Sequence, residues 1–379
     1  MPKAGSRRRT TAPPYPPNHR TSRPREEPRV SGTPARTADA ATTAEVVCLG
    51  ESMVTFLPSQ PGRLADVPSF GRGIGGAESN VACALAAAGH RAAWVSRVGA
   101  DGFGDHLVEA VAGYGVDTCA VQRDPVRPTG IYFRTATDRA TDVHEVAYYR
   151  AGSAASAMSP DNVPYEALFA GRVLHLSGIT AALSAGCLAL LHDLTAPRPG
   201  RPLISFDVNH RPGLWRDADA APAVLLDLAR RSDLVFVGED EAEEAWGVKG
   251  AEAIRAALPE PGVLVVKRGS DGATVFSGAG EADDITAVPA LRVDVVAPVG
   301  AGDAFAAGFL SATLRDLPVR DRVRHGHLMA AAVLTVPGDL TAPPARAHAD
   351  ALAALDDEAW GTLRLGPGWT GHDQEVRTT

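Results

Sequence analysis

Six short apolar runs, at 46–50, 92–98, 172–177, 203–207, 234–237 and 263–267, alternate with segments of helical pattern through the middle of this chain. Short, almost continuously apolar runs are the mark of strands buried on both faces, and strands separated by helices pair in parallel through right-handed crossovers. The alternation therefore predicts a three-layer α/β/α arrangement around a mostly parallel sheet, beginning near residue 45. Helices are expected over 77–88, 105–114 and 323–336. Residues 51–70 lack helical periodicity and contain Pro58, Pro61 and Pro68, so they read as a loop or exposed hairpin. Between 116 and 150 the pattern becomes polar-faced and β-rich, which predicts a small antiparallel lid on the main body. Residues from about 357 on are polar and expected to fray, leaving 45–356 as the folded domain.

In an open α/β sheet ligands bind beyond the carboxyl ends of the strands. Five polar segments occupy such ends: Gly75-Gly76-Ala77-Glu78-Ser79-Asn80, Asp207-Val208-Asn209-His210-Arg211, Glu239-Asp240-Glu241, Lys267-Arg268-Gly269-Ser270-Asp271-Gly272, and Val299-Gly300-Ala301-Gly302-Asp303. The last follows an apolar run at 293–296 and precedes a small-residue segment with Phe305 and Phe309 four apart, so it reads as strand, glycine loop, helix. Backbone N–H groups at a helix start have no intrahelical partner, and glycines let an anion approach them. Asp303 falls in the first turn, where the helix dipole favours its charged form and makes it a weak base at neutral pH. A plain capping role for Asp303 stays open.

Other chemistries find no footing. Gly71, Gly73 and Gly76 match the dinucleotide-loop spacing, but no apolar strand runs into Gly71. There is no Walker lysine motif, zinc-protease motif, serine-hydrolase elbow or paired cysteine set. Residues 1–44 hold nine Lys and Arg against three acids; with −8 overall, the remainder carries −14. So acidic a body argues against a nucleic-acid groove. The tail is proline- and arginine-rich and is expected to stay unfolded. With no secretory or membrane-spanning run and cysteines at 48, 83, 119 and 187 reading as core thiols, the protein is expected in the cytoplasm, with no membrane partner.

Several residues have two readings at this point. Asn80 lies one helical turn beyond Gly76 and suits either a ligand hydroxyl or helix packing. Arg150 and Arg211 suit carboxylate or phosphate recognition, or ordinary surface ion pairs. Tyr132 and Tyr148 either offer hydroxyls or fill a sheet face. Lys267 to Gly272 either flanks phosphates or forms a hairpin turn. Glu241 either holds a magnesium water or belongs to a solvated helix start.

Together, Gly75 to Asn80, Tyr148-Tyr149-Arg150-Ala151-Gly152-Ser153-Ala154, Asp207 to Arg211 and Pro298-Val299-Gly300-Ala301-Gly302-Asp303-Ala304-Phe305 resemble the ribokinase-like (pfkB-type) carbohydrate kinases. The resemblance covers almost all of 45–350 and is most specific to the ketodeoxygluconate kinases. It implies ATP-dependent phosphorylation of a sugar acid, with Gly300, Ala301 and Gly302 as anion hole and Asp303 as catalytic base. It implies substrate contacts from Gly76, Tyr132, Tyr148, Arg150, Arg211 and Asp339. Nucleotide contacts would come from Asn209, Lys267, Arg268, Gly269, Ser270, Asp271, Gly272 and the loop before Asp303. Magnesium would be held indirectly through Glu241, in a motif whose usual Asn is Gly238 here. Ala297 replaces a common aspartate that supports a monovalent cation, which puts potassium activation in question. Lid strands in 51–70 and 116–150 often pair between subunits, implying a homo-oligomer. A kinase for fructose, ribose or a nucleoside, and a non-catalytic sensor, remain the alternatives.

Overall fold

The protein is described here by a computed structural model covering residues 44–60, 62–135, 145–278 and 283–371. In chain order the strands are β1 Val46–Leu49, β2 Met53–Pro58, β3 Phe70–Gly75, β4 Ala92–Val95, β5 Arg97–Gly99, β6 Gln122–Asp124, β7 Ile131–Arg134, β8 Val146–Tyr149, β9 Val173–Ser177, β10 Leu203–Asp207, β11 Leu234–Gly238, β12 Val263–Lys267, β13 Ala273–Ser277, β14 Asp284–Val288, β15 Arg292–Val293 and β16 Arg364–Leu365. The helices are α1 Ala77–Ala87, α2 Gly102–Gly113, α3 Tyr165–Leu168, α4 Gly178–Leu183, α5 Ala185–Thr195, α6 Ala221–Arg230, α7 Glu239–Trp246, α8 Ala251–Ala257, α9 Ala301–Leu314, α10 Val319–Leu334, α11 Arg346–Ala353 and α12 Asp357–Thr362.

Eight strands form the central sheet in the order β14-β13-β12-β11-β10-β9-β1-β4. Pairing is parallel from β4 to β12, and β13 and β14 add an antiparallel edge. Side chains alternate along each strand, so Val46 and Cys48 enter one apolar core, with α1, α9 and α10, while Val47 and Leu49 enter the other, with α5 and α6. Burial on both faces explains why these strands read as unbroken apolar runs. α9 and α10 lie against each other closely because two glycines face the contact. A Cβ on Gly308 would stand 2.3 Å from the His325 carbonyl oxygen, and one on Gly326 would meet the Phe305 ring at 2.9 Å. The predicted helix over 323–336 thus starts earlier, at Val319, and ends at Leu334.

The second sheet, β3-β2-β7-β8, is the predicted lid. Residues 51–70 supply β2 and the start of β3 as a hairpin, but Met53 and Val54 are buried, so the hairpin is not exposed throughout. Gly71 and Gly73 lie inside strand β3, which removes the dinucleotide-loop reading structurally. β2 and β7 pair in parallel, so the lid is mixed rather than wholly antiparallel.

Three expectations are overturned. The run at 293–296 is not a strand entering the glycine loop: β15 ends at Val293, and Val295 and Val296 are exposed. Residues 357–371 are not a frayed tail, since Trp360, Leu363, Leu365 and Trp369 are buried in the core and β16 pairs with β15. Polar spacing hid them, because four apolar anchors spread over ten residues suffice to dock a short helix and strand. Cys48, Cys83 and Cys187 are buried as expected, whereas Cys119 is exposed. The tail at 1–43 and residues 372–379 lie outside the described residues. No helix among the described residues is long and apolar enough to cross a membrane.

Candidate active site

Gly300 is the N-cap of α9 and has φ +79°, a left-handed conformation that glycine adopts without strain. A Cβ there would stand 2.6 Å from the Asp339 carbonyl oxygen, so the position is closed to other residues on space as well. The turn aims the free N–H groups of the first α9 turn at two cavities. One, of about 570 Å³, is lined by Gly76, Asn80, Tyr132, Tyr148, Arg150, Asn209, Arg211, Glu241, Asp303 and Asp339 among others. The other, of about 790 Å³, includes Gly269, Ser270, Gly272 and His327. Lys267, Ala301 and Gly302 line both, so the helix start is the partition between them.

Asp303 lies on the first cavity, partly exposed toward it and surrounded by protein elsewhere. Burial raises its pKa to about 7; Asp207 and Glu78 add to this, while the Asn80 hydrogen bond and Lys267 oppose it. The expectation of an ordinary, fully ionised carboxylate is therefore wrong: loss of water outweighs the helix dipole, which contributes a fraction of a unit charge. Asn80 Nδ2 donates to Asp303 Oδ2 at 2.8 Å, so Asn80 orients the base instead of reaching for a ligand with its amide N–H. Its buried Oδ1 has no protein partner.

Lys267 ends β12 and donates from Nζ to both oxygens of Asp207 at 3.1 Å. Burial works against the ammonium, but Asp207 and Glu241 outweigh it and the Lys267 pKa is raised. A Cβ on Gly302 would be 3.7 Å from Nζ, which puts this cation beside the anion cradle. The rest of the Lys267 to Gly272 segment is a hairpin turn between antiparallel β12 and β13, and Gly269, Ser270 and Gly272 also line the second cavity. Arg268 and Asp271 are not among its lining residues. Asn209, held at φ +41°, lines the cavity of Asp303 and not the one beside this turn.

The two arginines differ. Arg211 is mostly exposed; its Nη1 donates to the His210 carbonyl at 2.8 Å and lies 3.4 Å from Glu241. Arg150 is already engaged: Nε donates to Glu51 Oε2 at 2.7 Å, and Glu51 also accepts from Ser153 Oγ at 2.5 Å. Of its two readings the ion pair is thus formed, within the wall of the cavity that Arg150 lines. Tyr132 is buried and donates to Asp339 Oδ2 at 3.3 Å, while Tyr148 is half exposed. Glu241 Oε2 accepts the Gly238 N–H at 2.9 Å, a helix-capping bond. Among the described residues no group of three or more His, Cys, Asp or Glu is placed to hold a metal by itself.

Glu51, Glu78, Arg134 and Asp207 had no assigned role from sequence. Arg134 Nη2 donates to Asp339 Oδ1 at 2.6 Å, tying lid strand β7 to the segment that packs on Gly300. Arg134 is two residues from Tyr132 on one strand face, and Glu51 lies two residues beyond the end of the first strand, signals that would have found both. Glu78 is buried and accepts from Ser177 and Thr180, at 2.8 and 2.7 Å.

Comparison with known proteins identifies the family. Residues 43–346 match the pfkB family carbohydrate kinases. The chain is 36% identical over 307 residues to the 2-dehydro-3-deoxygluconokinase of Bacillus subtilis, covering 80% of this chain and 93% of that protein. It is 35% identical to the enzyme of the same name from Thermoproteus tenax, over 81% and 93%. The crystal structure of the PfkB protein from Polaromonas sp. JS666 superposes with a TM-score of 0.71 at 33% identity, over 81% of this chain and 99% of that one. With a family match over most of its length and relatives at 35–36% identity, the chain belongs to the pfkB family of carbohydrate kinases.

Proposed function

We propose that the chain transfers the γ-phosphoryl group of ATP to the primary hydroxyl of 2-keto-3-deoxygluconate. The partition carries this reading: two cavities meet at Ala301 and Gly302, with Asp303 in one and the Lys267 to Gly272 turn beside the other. A sugar acid in the first cavity puts its hydroxyl against Asp303, and a nucleotide in the second points its phosphates at the α9 N-terminus. Phosphoryl transfer has a loose transition state, so positioning and charge neutralisation dominate. Asp303, held by Asn80, takes the hydroxyl proton late. The N–H groups of the first α9 turn and the Lys267 ammonium neutralise charge on the transferred group.

Arg211, exposed on the cavity wall, supports recognition of the substrate carboxylate, and the shared name of the two relatives supports the ketodeoxy-acid class. Magnesium fits as an ion brought with the phosphates, near Glu241, because such sites take one or two carboxylates and complete their shell from phosphate and water. When bound it would screen phosphate charge. Ala297 offers no carboxylate to a monovalent cation, so activity without potassium is expected. The lid edge at β8 carries exposed Tyr148 and Tyr149, which supports pairing of two copies through the lid.

An ATP-coupled assay over 2-keto-3-deoxygluconate, 2-keto-3-deoxygalactonate, fructose and ribose, with and without potassium, tests the proposal. A charged hydrogen bond to the carboxylate predicts a kcat/KM for the acids at least about tenfold above fructose. Preference for fructose would replace the substrate. Sugar binding with no ADP release from any of them would make the protein a sensor.

A further inference from the structure

Along the C-terminal half of α9, apart from the cavity that Asp303 lines, lies a rear cavity of about 460 Å³. It is large enough for a small metabolite. The C-terminal parts of α1 and α2, one face of α9 and α10, and the segment entering α11 enclose it. Its apolar walls include Tyr114, Met329 and Pro343, and its polar groups are Ser311, Arg315, His325 and Arg346. No Asp or Glu lines it, although the body of the protein is acidic. Asp350, one residue beyond the lining Ala349, is already bound by Arg315 at 2.8 Å and His325 at 3.1 Å. Arg346 makes one neutral contact, to the Ala88 carbonyl at 3.1 Å.

We infer that this rear cavity binds a small anion, a phosphate or carboxylate on a compact carbon body, and that the active site senses it. Two guanidiniums over an apolar pocket match that class, because arginine forks suit both groups and the walls accept the carbon skeleton. The link to the front is a strap of chain. Pro343 and Met329 line the rear cavity and also a small void of about 10 Å³, whose other walls include Asn80 and Asp339. Asn80 and Asp339 line the front cavity in turn. Residues 339–343 therefore run from the rear pocket to the carboxylate that holds Arg134 and Tyr132, and whose carbonyl packs on Gly300. An occupant seating Pro343 restricts the strap and hence the anion cradle. The rear site stands without the sugar-acid reading; only its sensing by the active site leans on that assignment.

Calorimetry with phenyl phosphate, and with benzyl alcohol as the neutral counterpart, tests the site on the full chain. The expected result is a binding event for phenyl phosphate that Arg346→Glu weakens at least about tenfold, the loss of one charged hydrogen bond. Arg346→Lys should restore most of it, which guards against a folding defect, and Arg211→Ala should spare it. Absence of any event, equal binding of benzyl alcohol, or an event lost in Arg211→Ala but kept in Arg346→Glu would overturn the site. Hydrogen exchange decides the coupling, with no reference to turnover. Phenyl phosphate should slow exchange over 339–345 and 298–303 in the wild type and not in Arg346→Glu; protection confined to the rear walls would overturn it.

Discussion

Asp303 shows two electrostatic effects in competition. The helix dipole favours the carboxylate, yet burial among Asp207 and Glu78 raises its pKa to about 7. Asp303→Asn is expected to lower turnover at least about a hundredfold while ATP binding stays nearly intact, measured by steady-state kinetics and calorimetry. Because the base must be ionised, kcat/KM for the sugar should fall about tenfold per pH unit below roughly pH 7, following the free enzyme. Stability moves in the opposite sense. A folded-state pKa above the unfolded value means the native state binds the proton more tightly, so this contribution is full below about pH 4 and is lost as pH rises through 7. Urea titrations should show that slope diminished in Asp303→Asn. Arg211→Ala should raise KM for an acidic sugar about tenfold and leave a neutral one almost unchanged, since the guanidinium is exposed and bears little of the fold. Equal changes for both sugars would remove Arg211 from carboxylate recognition.

The elements were legible where periodicity was strong. Buried parallel strands such as β9 and β11 announce themselves as apolar runs, and α1 starts where the glycines predict. The sequence misled where a few anchors do the packing. α12 and β16 read as polar tail, yet Trp360 is 1% exposed and its Nε1 donates to the Pro289 carbonyl at 3.0 Å. Trp360→Ala should cost about 3–5 kcal/mol of unfolding free energy, measured by urea denaturation. A cost near zero would return 357–371 to the status of a dispensable tail. The segment at 293–296 erred the other way: β-branched residues there suggest a strand, but no neighbouring strand pairs beyond Val293, and propensity yields to pairing.

Across the whole molecule the strand ends converge as an open α/β sheet requires, bringing residues from 51 to 339 to one cavity. Sequence by itself determined the class of fold, the glycine loop at a helix start and the carboxylate beside it, because these rest on local spacing and on backbone N–H groups that local chain geometry exposes. The tertiary structure alone decided that Asp303 is desolvated, that Asn80 holds it, that Arg150 is bound to Glu51, and that Arg134 reaches Asp339. These partners lie 99 to 223 residues apart in the chain. Burial and ion pairing depend on which distant segments share a volume, and no local pattern carries that information.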